Sequence, residues 1–390
     1  MKLLAISGRI PALNSQGDQL ISYFRLAHLA RSNKIELISF GSRDHPDDLV
    51  ATVALEALGI VVHLVPWNKY SAMLQVLLAI PFPGMPFQCA YFRSRQFREV
   101  YKSVSARFAP DALYAVMIRV LPNVSDYQGR LFVDLVDSMG LNFGRRAGME
   151  KGIKGWLLGI ETRRVSAYEK QVARRAERSF VVSSIDQHAI DPENVGVLHL
   201  GIDATRFNRP ATASTAPLIV FTGNMFYQPN VDAMLWFAEH CWSTIKAAVP
   251  EARVLVVGNR PQPSLVALGK TDSSIEVMGR VPSVAEIIKT AAVAVAPMRS
   301  GSGMQLKILE AMSCGIPVVT TTIGHGDIGC VAGVDILVRD DAAEFAQDVI
   351  SLLRSAALRE QVGSAGYAYV QENHSWDAIN QRFVQACHLA

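Results

Sequence analysis

The sequence predicts an α/β protein of two parallel-sheet domains, on three observations. Short runs rich in Val, Ile, Leu and Phe alternate with stretches of helical periodicity along the chain, the rhythm of successive βαβ units. At 390 residues the chain exceeds what one hydrophobic core usually serves. A segment of Pro, Ala, Ser and Thr without apolar periodicity, Asn208–Pro217, breaks the rhythm near the middle, where a linker is expected.

In the first half the expected strands are Leu3–Ser7, Ile35–Phe40, Val61–Val65, Leu113–Val116, Leu131–Leu135, Phe180–Val182 and Val195–His199. In the second they are Leu218–Thr222, Arg253–Val257, Ile275–Met278, Val293–Pro297, Val318–Thr321 and Asp335–Val338. Continuous apolar runs of this length suit parallel strands covered by helices on both faces. The expectation is two Rossmann-like domains, residues 1–208 and 209–375, facing across a cleft. Ligands of such sheets bind beyond the carboxyl ends of the strands, so this layout suits a large, two-part substrate.

Half the residues are hydrophobic and 19% are charged, a globular balance that excludes a disordered chain. The net charge of +3 is unevenly placed: residues 1–208 carry 25 Lys and Arg against 19 Asp and Glu, and the remainder is net acidic. Within Arg145–Arg178, ten basic residues stand against four acids among apolar ones such as Trp156, Leu157 and Leu158. That composition fits either peripheral contact of residues 145–178 with an anionic membrane or a solvated helix packed on its own domain. No helix-turn-helix, finger or aromatic-basic strand signature accompanies the charge, so nucleic acid is not an expected partner.

The apolar run Leu3–Ile6 is too short for a signal peptide, and a cytoplasmic location is expected. Met73–Phe87 is apolar but broken by Gln75, Pro81, Pro83 and Pro86, enough at most to dip into a membrane interface. The five cysteines are widely spaced and include no C-x-x-C pair, so neither disulfides nor structural zinc is indicated.

The chemistry concentrates in Ala291–Thr321. A buried strand empties into Gly301-Ser302-Gly303, and a helix is expected to begin near Met304. Glycines allow close backbone approach, and the free N–H groups of a helix start attract an anion. Ser302, Gly303 and Met304 thus form a candidate phosphate seat. At about 100° per residue, Ile308, Met312, Leu309 and Leu306 share an apolar arc while Lys307, Glu310 and Cys314 share another. Lys307 can then pair with a diphosphate, and Glu310 can accept hydrogen bonds from the two ribose hydroxyls. The plain alternative is an i,i+3 surface pair, worth about 0.2–0.5 kcal/mol.

This segment resembles the nucleotide-sugar signature of the two-Rossmann-domain (GT-B type) glycosyltransferases, particularly the retaining family four group and its bacterial exopolysaccharide members. The resemblance continues through TGNMFYQPNVDAMLWF (Thr222–Phe237), VLVVGNRP (Val254–Pro261), VMGRVPSV (Val277–Val284) and HSW (His374–Trp376). It implies sugar transfer from a nucleotide diphosphate sugar to a lipid-linked or polysaccharide acceptor in bacterial cell-surface polysaccharide synthesis. It further implies that the last helix, residues 376–390, returns to the first domain. Two departures stand out. Ser302 occupies the position of the first of two family glutamates, Glu310 fitting the second, and Asn224 follows Gly223 where many members carry Arg and Lys. Gly223, Asn224, Lys307 and backbone N–H groups are therefore the expected donor contacts.

In the first half, Gly17-Asp18 resembles the loop on the acceptor side of these enzymes, although Asp18 also suits a helix N-cap. Absence of a G-x-G-x-x-G fingerprint counts against a nicotinamide enzyme. Leu131–Arg146 places Asp134, Asp137 and Ser138 at a strand end, with Asp137 the preferred carboxylate and helix capping its structural alternative. In an inverting enzyme Asp137 or Asp18 would serve as base. In a retaining one the leaving phosphate can take the proton. No D-x-D pair adjoins the glycine turn and the nine histidines form no close ligand cluster, so no metal or other cofactor is expected. Charge on the leaving group would fall to Lys307 and the helix N-terminus. An epimerase on the same fold and a non-catalytic nucleotide-sugar binding protein are the competing readings.

Overall fold

The computed structural model describes residues 1–13, 17–82, 84–212, 214–301 and 304–389. Its contacts divide the chain into two units, Met1–His199 with Ile379–Ala390, and Leu200–Ala378.

The first unit carries a seven-stranded parallel sheet: β1 Lys2–Ser7, β2 Lys34–Phe40, β3 Val61–Val65, β4 Ala112–Val116, β5 Arg130–Val136, β6 Arg178–Val181 and β7 Val195–Val197. The order is β3-β2-β1-β4-β5-β6-β7, so the winding direction reverses between β1 and β4. β4 is buried along its whole length, as ALYAV covered on both faces must be. Helix Arg95–Phe108 shows the amphipathic logic plainly: Phe97, Tyr101, Val104 and Phe108 recur at helical spacing and are buried, and Ser94 caps the first turn through Phe97 N–H.

The second unit carries a six-stranded parallel sheet: β8 Leu218–Thr222, β9 Arg253–Val257, β10 Ile275–Gly279, β11 Val293–Ala296, β12 Val318–Thr320 and β13 Leu337–Val338. The order β10-β9-β8-β11-β12-β13 reverses between β8 and β11. Segment Leu200–Asn208, assigned by sequence to the first domain, packs in this unit instead. Ile202 N–H donates to His374 O at 2.7 Å, Phe207 joins the core, and Ser313 Oγ donates to Phe207 O at 2.6 Å. Burial of Ile202 and Phe207 outweighs the polar tract that follows them.

The last helix, Trp376–Cys387, contributes Asn380 and Phe383 to the first unit. Arg25 holds both: Nη1 donates to Asn380 Oδ1 at 2.7 Å, and the guanidinium lies 4.3 Å from the Phe383 ring centre. The same guanidinium donates to Asp134 at 3.2 and 3.3 Å, and Tyr114 Oη adds a 3.0 Å bond. Asp134, expected near substrate hydroxyls, is thus buried and used up inside the unit. Among the described residues no helix is long and apolar enough to cross a membrane.

Candidate functional site

The second unit brings polar side chains together where its sheet reverses, after the carboxyl ends of β8 and β11. After β8 the chain turns at Gly223 and Asn224. Asn224 Oδ1 accepts from Phe226 N–H at 3.1 Å, and its carbonyl accepts from Asn230 Nδ2 at 3.0 Å. Gly223 has φ +156°, and a Cβ there would lie 2.7 Å from Asn230 Nδ2 and 3.4 Å from Lys307 Cε, so only glycine lets the turn close.

After β11 comes Gly301, at φ +119°, then helix Leu306–Ser313. Ser302 and Gly303 lie outside the described residues. The helix starts at Leu306 rather than near Met304, which instead packs against the core ahead of the first turn. Ile308, Leu309, Ala311 and Met312 are buried, whereas Leu306, expected with them, stays exposed at the first turn. Cys314, expected beside Lys307, is buried at the helix end.

Lys307 and Glu310, one turn apart on this helix, are both partly exposed. Lys307 Nζ donates to Asn230 Oδ1 at 2.7 Å and Gln305 Oε1 at 3.0 Å, and sits 5.2 Å from the Phe221 ring centre. Burial lowers its ammonium to about 8, opposed by Glu310. The Glu310 carboxylate accepts no hydrogen bond from the described residues. Burial raises it to about 7, countered by Arg206 and then by Lys307. Asn230 and Arg206 were not singled out in the sequence. The one is the third residue of a helix after β8 and the other lies about a hundred residues from Glu310, so neither carries a local signal that ties it to the site.

In the first unit a second polar cluster forms at the carboxyl ends of β1, β4 and β5. Asp18 is the first residue of helix Asp18–Leu29, whose N-cap is Gly17, so it is not the cap itself. Arg9 grips it, with Nε 3.3 Å from Oδ2 and a second bond from Nη2 to Oδ1. Asp137 accepts from Asn142 Nδ2 at 2.8 Å, and burial followed by the Asp186 charge raises its pKa. Helix capping falls to Ser138, whose Oγ accepts from Leu141 N–H at 3.1 Å. Glu169 completes that cap, accepting from Met139 N–H at 2.7 Å and Ser138 Oγ at 3.1 Å.

Between these carboxylates sequence reasoning missed Arg119. Its Nε is buried without a partner among the described residues, and burial lowers its pKa against the pull of Asp18 and Asp137. Met117, just after β4, and Val136, the last residue of β5, adopt φ of +62° and +68°. A β-branched residue rarely accepts that conformation, and such strain collects at functional sites. Among the described residues no group of three or more His, Cys, Asp or Glu is placed to hold a metal.

Two doubly wound parallel-sheet domains, and the likeness to solved structures given below, assign the chain to the GT-B class of fold. Residues 216–355, within the second unit, match the family model "Glycosyl transferases group 1". The chain is 24% identical over 163 residues to an uncharacterized 44.6 kDa protein in the cps region of Klebsiella pneumoniae, covering 40% of this chain and 42% of that protein. It is 27% identical over 207 residues to a GDP-mannose-dependent monoacylated alpha-(1-6)-phosphatidylinositol monomannoside mannosyltransferase of Corynebacterium glutamicum, covering 47% of this chain and 53% of that one. The match thus spans about half the length of these curated relatives. Among solved structures, the Anabaena protein HepE in complex with UDP superposes with a TM-score of 0.65 at 14% identity, over 100% of both chains.

Proposed function

We propose that the chain is a glycosyltransferase that moves a sugar from a nucleotide diphosphate sugar to a lipid-linked or polysaccharide acceptor in bacterial cell-surface polysaccharide synthesis. The carrying observation is Glu310, partly buried, without a hydrogen-bond partner among the described residues and three residues from a lysine. A carboxylate so placed is held ready for two hydroxyls, as a ribose supplies. The relative from a cps region, the mannosyltransferase relative, and the neighbour solved with UDP and with UDP-glucose support the substrate class.

In this reading Lys307 and the first N–H groups of helix Leu306–Ser313 offset the charge of the diphosphate as it leaves. Gly223 and Asn224 bring the β8 turn against it. Phe226 and Tyr227 are exposed beside that turn, with Arg260 stacked 4.7 Å from the Phe226 ring centre, flat faces on which a base can lie. The reaction is retaining and needs no metal: the departing phosphate takes the acceptor proton while Asp137 and Asp18 bind acceptor hydroxyls. The enzyme works at the cytoplasmic side of a membrane that it touches peripherally through residues 145–178. Exposed Ile153, Trp156 and Leu157 on helix Gly152–Arg175, and Met73, Leu74, Leu77 and Leu78 on helix Lys69–Ala79, support that contact.

Calorimetric titration with UDP, GDP, TDP, ADP and their sugar conjugates tests the donor site. The expected result is binding of one diphosphate, lost in Glu310→Ala and reduced in turnover in Lys307→Ala, at nearly unchanged Tm. Unaltered donor binding with a large loss of stability in Glu310→Ala would overturn the assignment.

A further inference from the structure

The first unit also holds a cavity of about 340 Å³ beside the start of helix Arg95–Phe108 and the last turns of helix Gly152–Arg175. Three guanidinium groups, Arg93, Arg98 and Arg175, line it with Ser125, Tyr168 and Gln171. No carboxylate lines it among the described residues.

The partners of these groups are what distinguish the place. Several other arginines of this unit are paired with carboxylates: Arg9 with Asp18, Arg95 with Glu99, Arg107 with Glu36, Arg130 with Glu177. Among the described residues the side chains of Arg93, Arg98, Ser125, Tyr168 and Gln171 make no hydrogen bond or ion pair. Arg175 uses one N–H on Tyr127 O and keeps the rest of its fork. Three like charges around one concavity repel each other, and no ion pair to a carboxylate among the described residues neutralises them. A multiply charged oxyanion would do so, through bidentate guanidinium contacts completed by hydroxyl and amide donors.

We propose that this cavity binds a phosphate ester at a site separate from the Lys307–Glu310 pocket. The volume accommodates a phosphate or diphosphate together with part of the group that carries it. A lipid headgroup and a soluble phosphorylated sugar share this chemistry.

The test is calorimetric titration of the full chain with inorganic pyrophosphate, using Arg93→Gln/Arg98→Gln and Lys307→Met as the two comparisons. The expected result is that the double variant weakens one class of pyrophosphate binding by about tenfold or more, while Lys307→Met leaves that class intact. Identical titrations for wild type and the double variant, or loss of all binding in Lys307→Met alone, would overturn the proposal. Because Arg93 and Arg98 contact no described partner, the double variant is expected to keep its Tm. Should it not fold, Arg93→Lys/Arg98→Lys keeps the charge, loses the bidentate geometry and is expected to bind more weakly. Flotation with phosphatidylcholine vesicles containing or lacking phosphatidic acid separates the sources. A phosphatidic-acid-dependent signal lost in the double variant assigns the site to a headgroup, and an unchanged signal beside weakened pyrophosphate binding assigns it to a soluble ester.

Discussion

Lys307 donates from Nζ to Oδ1 of Asn230 across 2.7 Å, and the other end of the same amide donates to Asn224 O at 3.0 Å. One buried side chain thus ties the helix after β11 to the turn after β8 and sets where the cation sits. Asn230 is a positioning residue for the candidate donor site.

Asn230→Ala is expected to lower nucleotide affinity by about tenfold through loss of that tether, with Glu310 still in place. Asn230→Asp restores an acceptor to Lys307 and, by its charge, raises the lysine's pKa. The check is nucleotide binding against pH for both variants. Wild-type affinity in Asn230→Ala would refute the positioning role.

The two shifted groups set a pH window for donor binding. Glu310 must be ionised, which requires pH above its value of about 7, and Lys307 must be protonated, which requires pH below about 8. Affinity should therefore peak between these values and fall on both sides. In Glu310→Gln the acid limb should disappear while the alkaline limb stays. A titration series across this range, by calorimetry, reads both limbs.

Gly223→Ala places a methyl group 2.7 Å from Asn230 Nδ2 at φ +156°. The expected loss is about 1–3 kcal/mol of stability together with weaker nucleotide binding as Asn230 and Lys307 are pushed aside. Thermal unfolding and binding measured on one sample check both.

Glu169→Ala should destabilise the first unit by about 1–3 kcal/mol, because the N–H of Met139 and the hydroxyl of Ser138 lose their acceptor. Burial raises the Glu169 carboxyl from 4.5 to about 7. The folded state therefore holds its proton more tightly than the unfolded one, so this group's contribution is full below 4.5 and declines as pH rises through 7. The loss on substitution should be larger near the lower of these values than above the higher, as denaturant unfolding at the two pH values would show.

Each of the thirteen apolar runs singled out in the sequence overlaps one observed strand, because a parallel strand covered on both faces needs a nearly unbroken run of apolar residues and such a run is visible without its neighbours. The Lys307–Glu310 spacing was legible for a similar reason, as helical periodicity is local. What only tertiary structure decided is which side chains those residues meet. Asn230 reaches Lys307 from 77 positions away, Arg206 bears on Glu310 from another segment, and Asp134, placed at a strand end like Asp137, is consumed by Arg25 and Tyr114. Leu306 and Cys314 depart from their expected environments at the two ends of the helix, Leu306 as its first residue and Cys314 just past its last, where helical periodicity does not decide burial. Periodicity along the chain determined the elements; the long-range partners of each polar group, which fix its charge and its freedom to bind, arose only when distant segments were brought together.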